Sequence, residues 1–147
     1  MPVIEVEKVI PAPPDVVYAA AKDIERFPEF MPNVQTVEIL EREGSHTKSR
    51  WAGRVEEFRR TIAWVEEDDW DDARRACTFR ATEGDWDKYD GVWTFDEHPD
   101  GTLVYLKLDY DFNVPLIGPL IRGLLAKLVK GNSEEMLEGL ARRVAAG

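Results

Sequence analysis

Between Leu103 and Val114 the chain alternates without a slip. Val104, Leu106, Leu108, Tyr110, Phe112 and Val114 share one parity; Tyr105, Lys107, Asp109, Asp111 and Asn113 share the other. Successive side chains of a strand point to opposite faces, so this pattern demands one buried face and one wet face, as in an antiparallel sheet. A helix cannot use it, because at about 3.6 residues per turn the apolar positions would scatter round the axis.

One such strand cannot stand alone, and the sequence supplies partners. Strand-like runs cover Val3–Ile10, Thr36–Arg42, Thr47–Val55, Phe58–Val65, Arg75–Thr82 and Tyr89–Glu97, separated by short turn signals. HPDG, His98 to Gly101, is a turn with a mechanism: proline presets φ and glycine admits a positive one. Connections this short make the sheet antiparallel. The segment Glu66 to Asp72, EEDDWDD, reads as a solvated acidic hairpin between two strands.

Helices bracket the sheet. Pro11 to Pro14 ends the first strand, and Pro14 with Asp15 suits a first helical turn; the helix extends to about Lys22 or Asp23. From Leu116 to Ala146 the chain is helical again. Ile117, Ile121, Leu124 and Leu128 make one stripe and Met136, Leu140 and Val144 another, out of phase with the first. That slip, with Asn132 placed to cap and Glu135 three residues on, predicts a kink or break at Gly131–Ser133; a straight helix with a wide apolar face is the alternative. Strands followed by one long helix give an α+β domain, and 147 residues fit a single one, residues 1–147.

Bulk chemistry removes several functions. A net charge of −10 makes nucleic acid a poor partner. The single cysteine, Cys77, allows no internal disulfide and no cysteine-spaced zinc set, so neither a metal nor another cofactor is expected. DWDKYDG, Asp85 to Gly91, is no calcium loop, since Tyr89 takes a ligand position and Gly91 comes one residue late. His46 and His98 both sit in turn contexts and read as solvated. There is no glycine-rich phosphate loop and no nucleophile elbow. No secretory signal and no integral membrane segment is expected, so a cytoplasmic protein is the default.

Taking apolar parity as inward, the face toward the long helix carries Val37, Ile39, Ser49, Trp51, Phe58, Ile62, Trp64, Cys77, Phe79, Tyr89, Trp93, Phe95, Leu106, Leu108 and Tyr110. It is rich in rings and contains polar intruders: Ser49, Arg60, Tyr89 and Tyr110, with Asn132 from the helix. A buried guanidinium needs water or a partner, so Arg60 implies a wet cavity, a nearby carboxylate or a bulge that turns it outward. DIERFPEFMPNV, Asp23 to Val34, sets Phe27, Phe30 and Met31 among prolines, either as the lip of that cavity or as plain core.

These segments resemble a family. PAPPDVVYAAAKDIERFPEFMPNV, DGVWTFDEHPDGTLVYLKLDYDF and NVPLIGPLIRGLLAKLVKGNSEEMLEGLARRV are similar, in that order, to the START-like helix-grip superfamily, in its polyketide cyclase/dehydrase and coenzyme-Q-binding branches. The resemblance implies a curved, seven-stranded antiparallel sheet wrapped round a long C-terminal helix, with two short helices after the first strand. It also implies a cavity between sheet and helix for a hydrophobic small molecule: a lipid, quinone or polyketide. The expected lining is Phe27, Phe30, Met31, Ser49, Trp51, Arg60, Trp64, Phe79, Trp93, Tyr110, Leu124, Leu128 and Asn132. The alternative it implies is an aromatase/cyclase or dehydrase, with Arg60, Tyr89 and Tyr110 as catalytic candidates. The polar set of that branch is not kept residue for residue: its lip tyrosine falls at Val34, and its cavity serine and arginine fall near Arg60 and Ile62. Transient contact with a membrane or partner enzyme is left open.

Overall fold

A computed structural model of the chain describes residues 3–55, 59–112 and 119–146, the side chains of 119–122 aside. Phe58, Val114, Leu116 and Ile117, and the side chain of Ile121, lie outside what is described. Strands β1 (Val3–Ile10), β2 (Val34–Glu43), β3 (His46–Val55), β4 (Arg60–Asp71), β5 (Ala76–Gly84), β6 (Lys88–His98) and β7 (Gly101–Asp111) form one sheet. Helix α1 (Pro14–Lys22), a single 3-10 turn (Ile24–Arg26) and α2 (Phe27–Phe30) follow β1, and α3 (Pro119–Ala145) closes the chain.

The sheet is seven-stranded and antiparallel, in the order β1-β7-β6-β5-β4-β3-β2. β1 pairs with β7, placing Val6 opposite Leu106 and Ile4 opposite Leu108. The chain must therefore travel from one edge of the sheet to the other between β1 and β2, and α1 and α2 make that journey. Helix α3 packs against β1, α1 and α2. This is the helix-grip arrangement. Its core is made of the alternating residues of β7 (Val104, Leu106, Leu108 and Tyr110, all buried) with Phe95, Val17, Leu137 and Leu140.

Local chemistry places each element. Pro14 opens α1, Asp15 sits in its first turn, and Val17, Tyr18 and Ala21 make its buried face. Gly101 turns the β6–β7 hairpin at φ 136, and a β-carbon there would meet the Ile10 carbonyl oxygen at 2.2 Å, so the turn and the close approach both require glycine.

The acidic hairpin and the helix break expected from the sequence are not what forms. The acidic segment is not a loop. β4 continues through it to Asp71, and the turn comes afterwards, with the Arg74 amide donating to Asp71 at 3.1 Å and Arg75 at φ 51. Ile62, Trp64, Glu66, Asp68 and Trp70 keep one inward parity along β4. On the other face, Glu67 and Asp69 lie 3.0 and 2.7 Å from the ring nitrogens of His46, which opens β3 instead of sitting in a loop. Helix α3 runs unbroken through Gly131–Ser133. Ser133 donates to the Val129 carbonyl at 2.9 Å and Asn132 bonds Asn33, so neither residue starts a new helix. Leu125, Val129, Ser133, Leu137 and Leu140 are buried; Leu125, Val129 and Leu137 lie one residue on from the expected stripes, whereas Leu140 lies on its own. The apolar pattern looked interrupted because a serine, satisfied by its own helix, occupies one of the inward positions.

Among the described residues no helix is long and apolar enough to cross a membrane, and no group of three or more His, Cys, Asp or Glu is placed to hold a metal ion.

Candidate functional site

Between the inner face of the sheet and α3 lies a cavity in two compartments, of about 50 and 70 Å³. The inner one is bounded by α1, the Ile24–Phe27 segment and the middle strands, through Ala21, Ile24, Phe27, Trp51, Asp68, Trp70, Cys77, Phe79, Trp93 and Leu106. The outer one lies under α3 and is bounded by Asn33, Val55, Ile62, Trp86, Leu125, Leu128, Val129 and Asn132. Val34, Trp64, Tyr89 and Met136 line both and form the partition between them. A water needs about 10–15 Å³ on this scale, so each compartment holds a few waters with the rings in these positions. A larger guest requires the partition to move.

The wall is aromatic. Trp51 and Trp64 stack with ring centres 5.9 Å apart and planes 7° from parallel. Phe27 meets Trp51 edge-on at 5.7 Å, and Tyr89 lies 5.2 Å from Trp64 and 4.8 Å from Trp86. All five tryptophans of the chain line one compartment or the other.

The inner compartment has a polar end. Glu66 is 5% exposed, Asp68 3% and Ser49 0%. The Trp51 indole N–H donates to Ser49 Oγ at 2.9 Å, which leaves that hydroxyl to donate to Asp68 Oδ2 at 3.1 Å. Trp70 Nε1 donates to Thr47 Oγ1 at 3.4 Å, and Thr47 donates to the same Oδ2 at 3.2 Å. Two indoles thus orient two hydroxyls onto one carboxylate oxygen, because a hydroxyl that accepts at oxygen gives its single proton elsewhere. Glu66 Oε1 accepts from Trp64 Nε1 at 2.8 Å. Burial raises the Glu66 pKa well above the ordinary carboxylate range, and the charge and hydrogen bonding of Asp68 raise it further. Burial also pushes the Tyr89 phenol and the Cys77 thiol up, so both stay protonated.

The outer end is closed by an amide pair: Asn33 Nδ2 donates to Asn132 Oδ1 at 2.9 Å, bridging the start of β2 and α3. Beside it α3 grips the lip. Arg142 donates to the Phe30 carbonyl at 2.8 Å, and Arg143 lies 5.5 Å from the centre of the Phe30 ring.

The structure divides the expected lining. Phe27, Trp51, Phe79 and Trp93 face the inner compartment, Leu128 and Asn132 the outer, and Trp64 and Tyr89 both. Ser49 lies behind Asp68 as its hydrogen-bond donor. Phe30 and Met31 instead bound a small gap against Leu140 and Arg143, so of the three lip residues only Phe27 reaches the cavity. Leu124 is 43% exposed, a consequence of the shifted helix stripe. Tyr110 is 1% exposed and packs edge-on to Trp86, outside both linings.

Arg60 is also outside. It shares the inward parity but stands at the open end of β4, its side chain 50% exposed, 3.7 Å from Asp85 and 5.5 Å from the Phe112 ring centre. The buried acidic side chains of the cavity are the carboxyl groups of Glu66 and Asp68, which the sequence reading missed. Their signal was Trp70: an aromatic two and four residues beyond Asp68 and Glu66 on the parity of Ile62 and Trp64 marks a strand that has not ended. Trp86 was missed likewise, in a segment read as a turn.

A seven-stranded sheet, an aromatic cavity and a long covering helix define a helix-grip protein. The chain belongs to the family described as polyketide cyclase / dehydrase and lipid transport, whose profile matches residues 10–137. A Streptomyces cyaneus protein provisionally named a polyketide cyclase is 31% identical over 107 residues, 72% of this chain and 70% of its own. The crystal structure of TTHA0849 from Thermus thermophilus superposes with a TM-score of 0.94 at 40% identity, over 99% of this chain and 98% of that one. The Zhui aromatase/cyclase from Streptomyces sp. R1128 shares the fold with a TM-score of 0.89 at 22% identity, over 98% and 93%.

Proposed function

We propose that the protein binds a small, apolar, ring-bearing molecule, of lipid, quinone or polyketide type, in the cavity between the sheet and α3. The observation that carries this is the convergence of all five tryptophans on one cavity that has a buried polar end. Apolar burial at about 25 cal/mol per Å² supplies the affinity, and the Glu66–Asp68 end orients the guest. Admission requires the Trp64–Tyr89 partition and the Asn33–Asn132 bridge to part. Loading by transient contact with a membrane or a partner enzyme belongs to the same proposal. The tryptophans are their own reporter: titration with quinones, naphthols and fatty acids is expected to give saturable quenching with at least one class. A flat response across all of them rejects the reading.

One feature favours a second, catalytic reading. Glu66 keeps its proton beside the acceptor Asp68 and the phenol of Tyr89, which is an acid and an acceptor in one water-poor pocket. In an aldol closure a base removes a proton from a methylene between two ketones, the new carbon–carbon bond forms, and the ketone oxygen takes a proton from Glu66. Loss of water from the product then sets the double bond. No oxidant is needed. Of the three catalytic candidates Arg60 stands outside the cavity, and the acid in this reading is Glu66. Turnover of a model poly-ketone is expected to fall about 100-fold or more in Glu66→Gln; undiminished turnover excludes it.

A further inference from the structure

The cavity's polar end has one sign. Glu66 and Asp68 line the inner compartment, and among the described residues no lysine, arginine or histidine joins them there. Hydroxyl groups hold Asp68 in place without cancelling its charge, and an indole holds Glu66 beside it. In the adjoining compartment the buried indole N–H of Trp86 has no acceptor among the described residues. A guest spanning both compartments therefore meets an N–H in want of an oxygen and, deeper, a carboxyl pair.

We infer that Glu66 and Asp68 make the inner compartment a charge filter, one that takes the uncharged, hydroxyl- or keto-bearing end of an apolar ligand and turns away carboxylate and phosphate ends. This rests on the cavity-binding reading above and names the ligand class for it. A phenol or enol can donate to Asp68, and a ketone can accept from Glu66, so a neutral oxygen finds a partner in either form. An anionic end finds a like charge a few ångströms away with little water to screen it, a repulsion that lowers affinity by at least about tenfold.

The test is calorimetric titration of the intact protein at neutral pH with 2-naphthol and with 2-naphthoate, which match in ring system and differ in charge. Naphthol is expected to bind at least about tenfold tighter, and the Glu66→Gln/Asp68→Asn double variant to bring the two within about threefold by strengthening naphthoate. Any apolar pocket disfavours a carboxylate to some degree, so the change of ratio in the variant is the decisive reading. Equal affinities in the unaltered protein, or a ratio that the variant leaves unchanged, overturn the filter while leaving the cavity reading intact. Failure of both probes to bind overturns the filter, and the cavity reading then stands or falls by the quinone and fatty-acid titrations. If the double variant does not fold, Asp68→Asn alone is expected to narrow the ratio by a smaller factor, and an unmoved ratio overturns the inference.

Discussion

The two compartments share four wall residues and differ in nearly everything else. The inner one ends in carboxyl groups held by a relay of indoles and hydroxyls; the outer one is bounded by aliphatic residues of α3 and closed by a single amide–amide bond. Ser49 and Thr47 are buried and each links an indole to Asp68, so removing either hydroxyl strands a partner. The outer bond joins half-buried amides that water can satisfy when it opens. One end of the cavity is therefore built to hold a shape and the other to part.

Merging the compartments is the severest way to break this contrast. Trp64→Ala removes the main ring of the partition and the donor to Glu66; it is expected to lower unfolding free energy by about 3 kcal/mol in urea melts and to admit larger guests. Ser49→Ala leaves the Trp51 N–H without its acceptor and Asp68 with one hydroxyl fewer, for an expected loss of about 1–3 kcal/mol by the same measurement.

Glu66 gives the inner end a pH signature. Its folded pKa lies above the unfolded value, so the folded state holds a proton that the unfolded state releases. Stability then falls as pH rises from the unfolded carboxylate range to the folded pKa, by at most about 1.4 kcal/mol per pH unit. Glu66→Gln is expected to flatten that slope above the unfolded carboxylate range and to raise stability there; urea stabilities of the two proteins that change in parallel as pH rises speak against it. The mildest change is at the outer end, where Asn132→Ala breaks the bridge to Asn33 for about 0.5–1.5 kcal/mol. Its clearer mark is faster ligand exchange in stopped-flow, an effect that Ser49→Ala does not share.

Much of the architecture was legible. The first strand and first helix match the expected bounds, and the alternation of β7 is the inner core wall. The candidate site was legible in its rings and not in its charges. Trp51, Trp64, Phe79 and Trp93 follow parity, and parity is local. Glu66 and Asp68 follow the same parity, but composition argued for solvent, since buried carboxylates are rare unless partners exist. Those partners, Ser49 and Thr47, come from the neighbouring strand, and no pattern within β4 announces them. Leu124 and Leu125 were told apart only by packing, because a stripe that includes Ser133 does not look apolar.

By itself the sequence determined the element types, the inward parity of most strands and the aromatic character of the interior, all of which follow from side-chain periodicity along a single segment. Only the tertiary structure decided which charges are buried, which lip ring faces the cavity and that α3 is continuous. Those outcomes depend on partners supplied across strand pairs and from the opposite end of the chain. Burying a polar group is governed by whether its hydrogen bonds are met, and that is a property of neighbours in space.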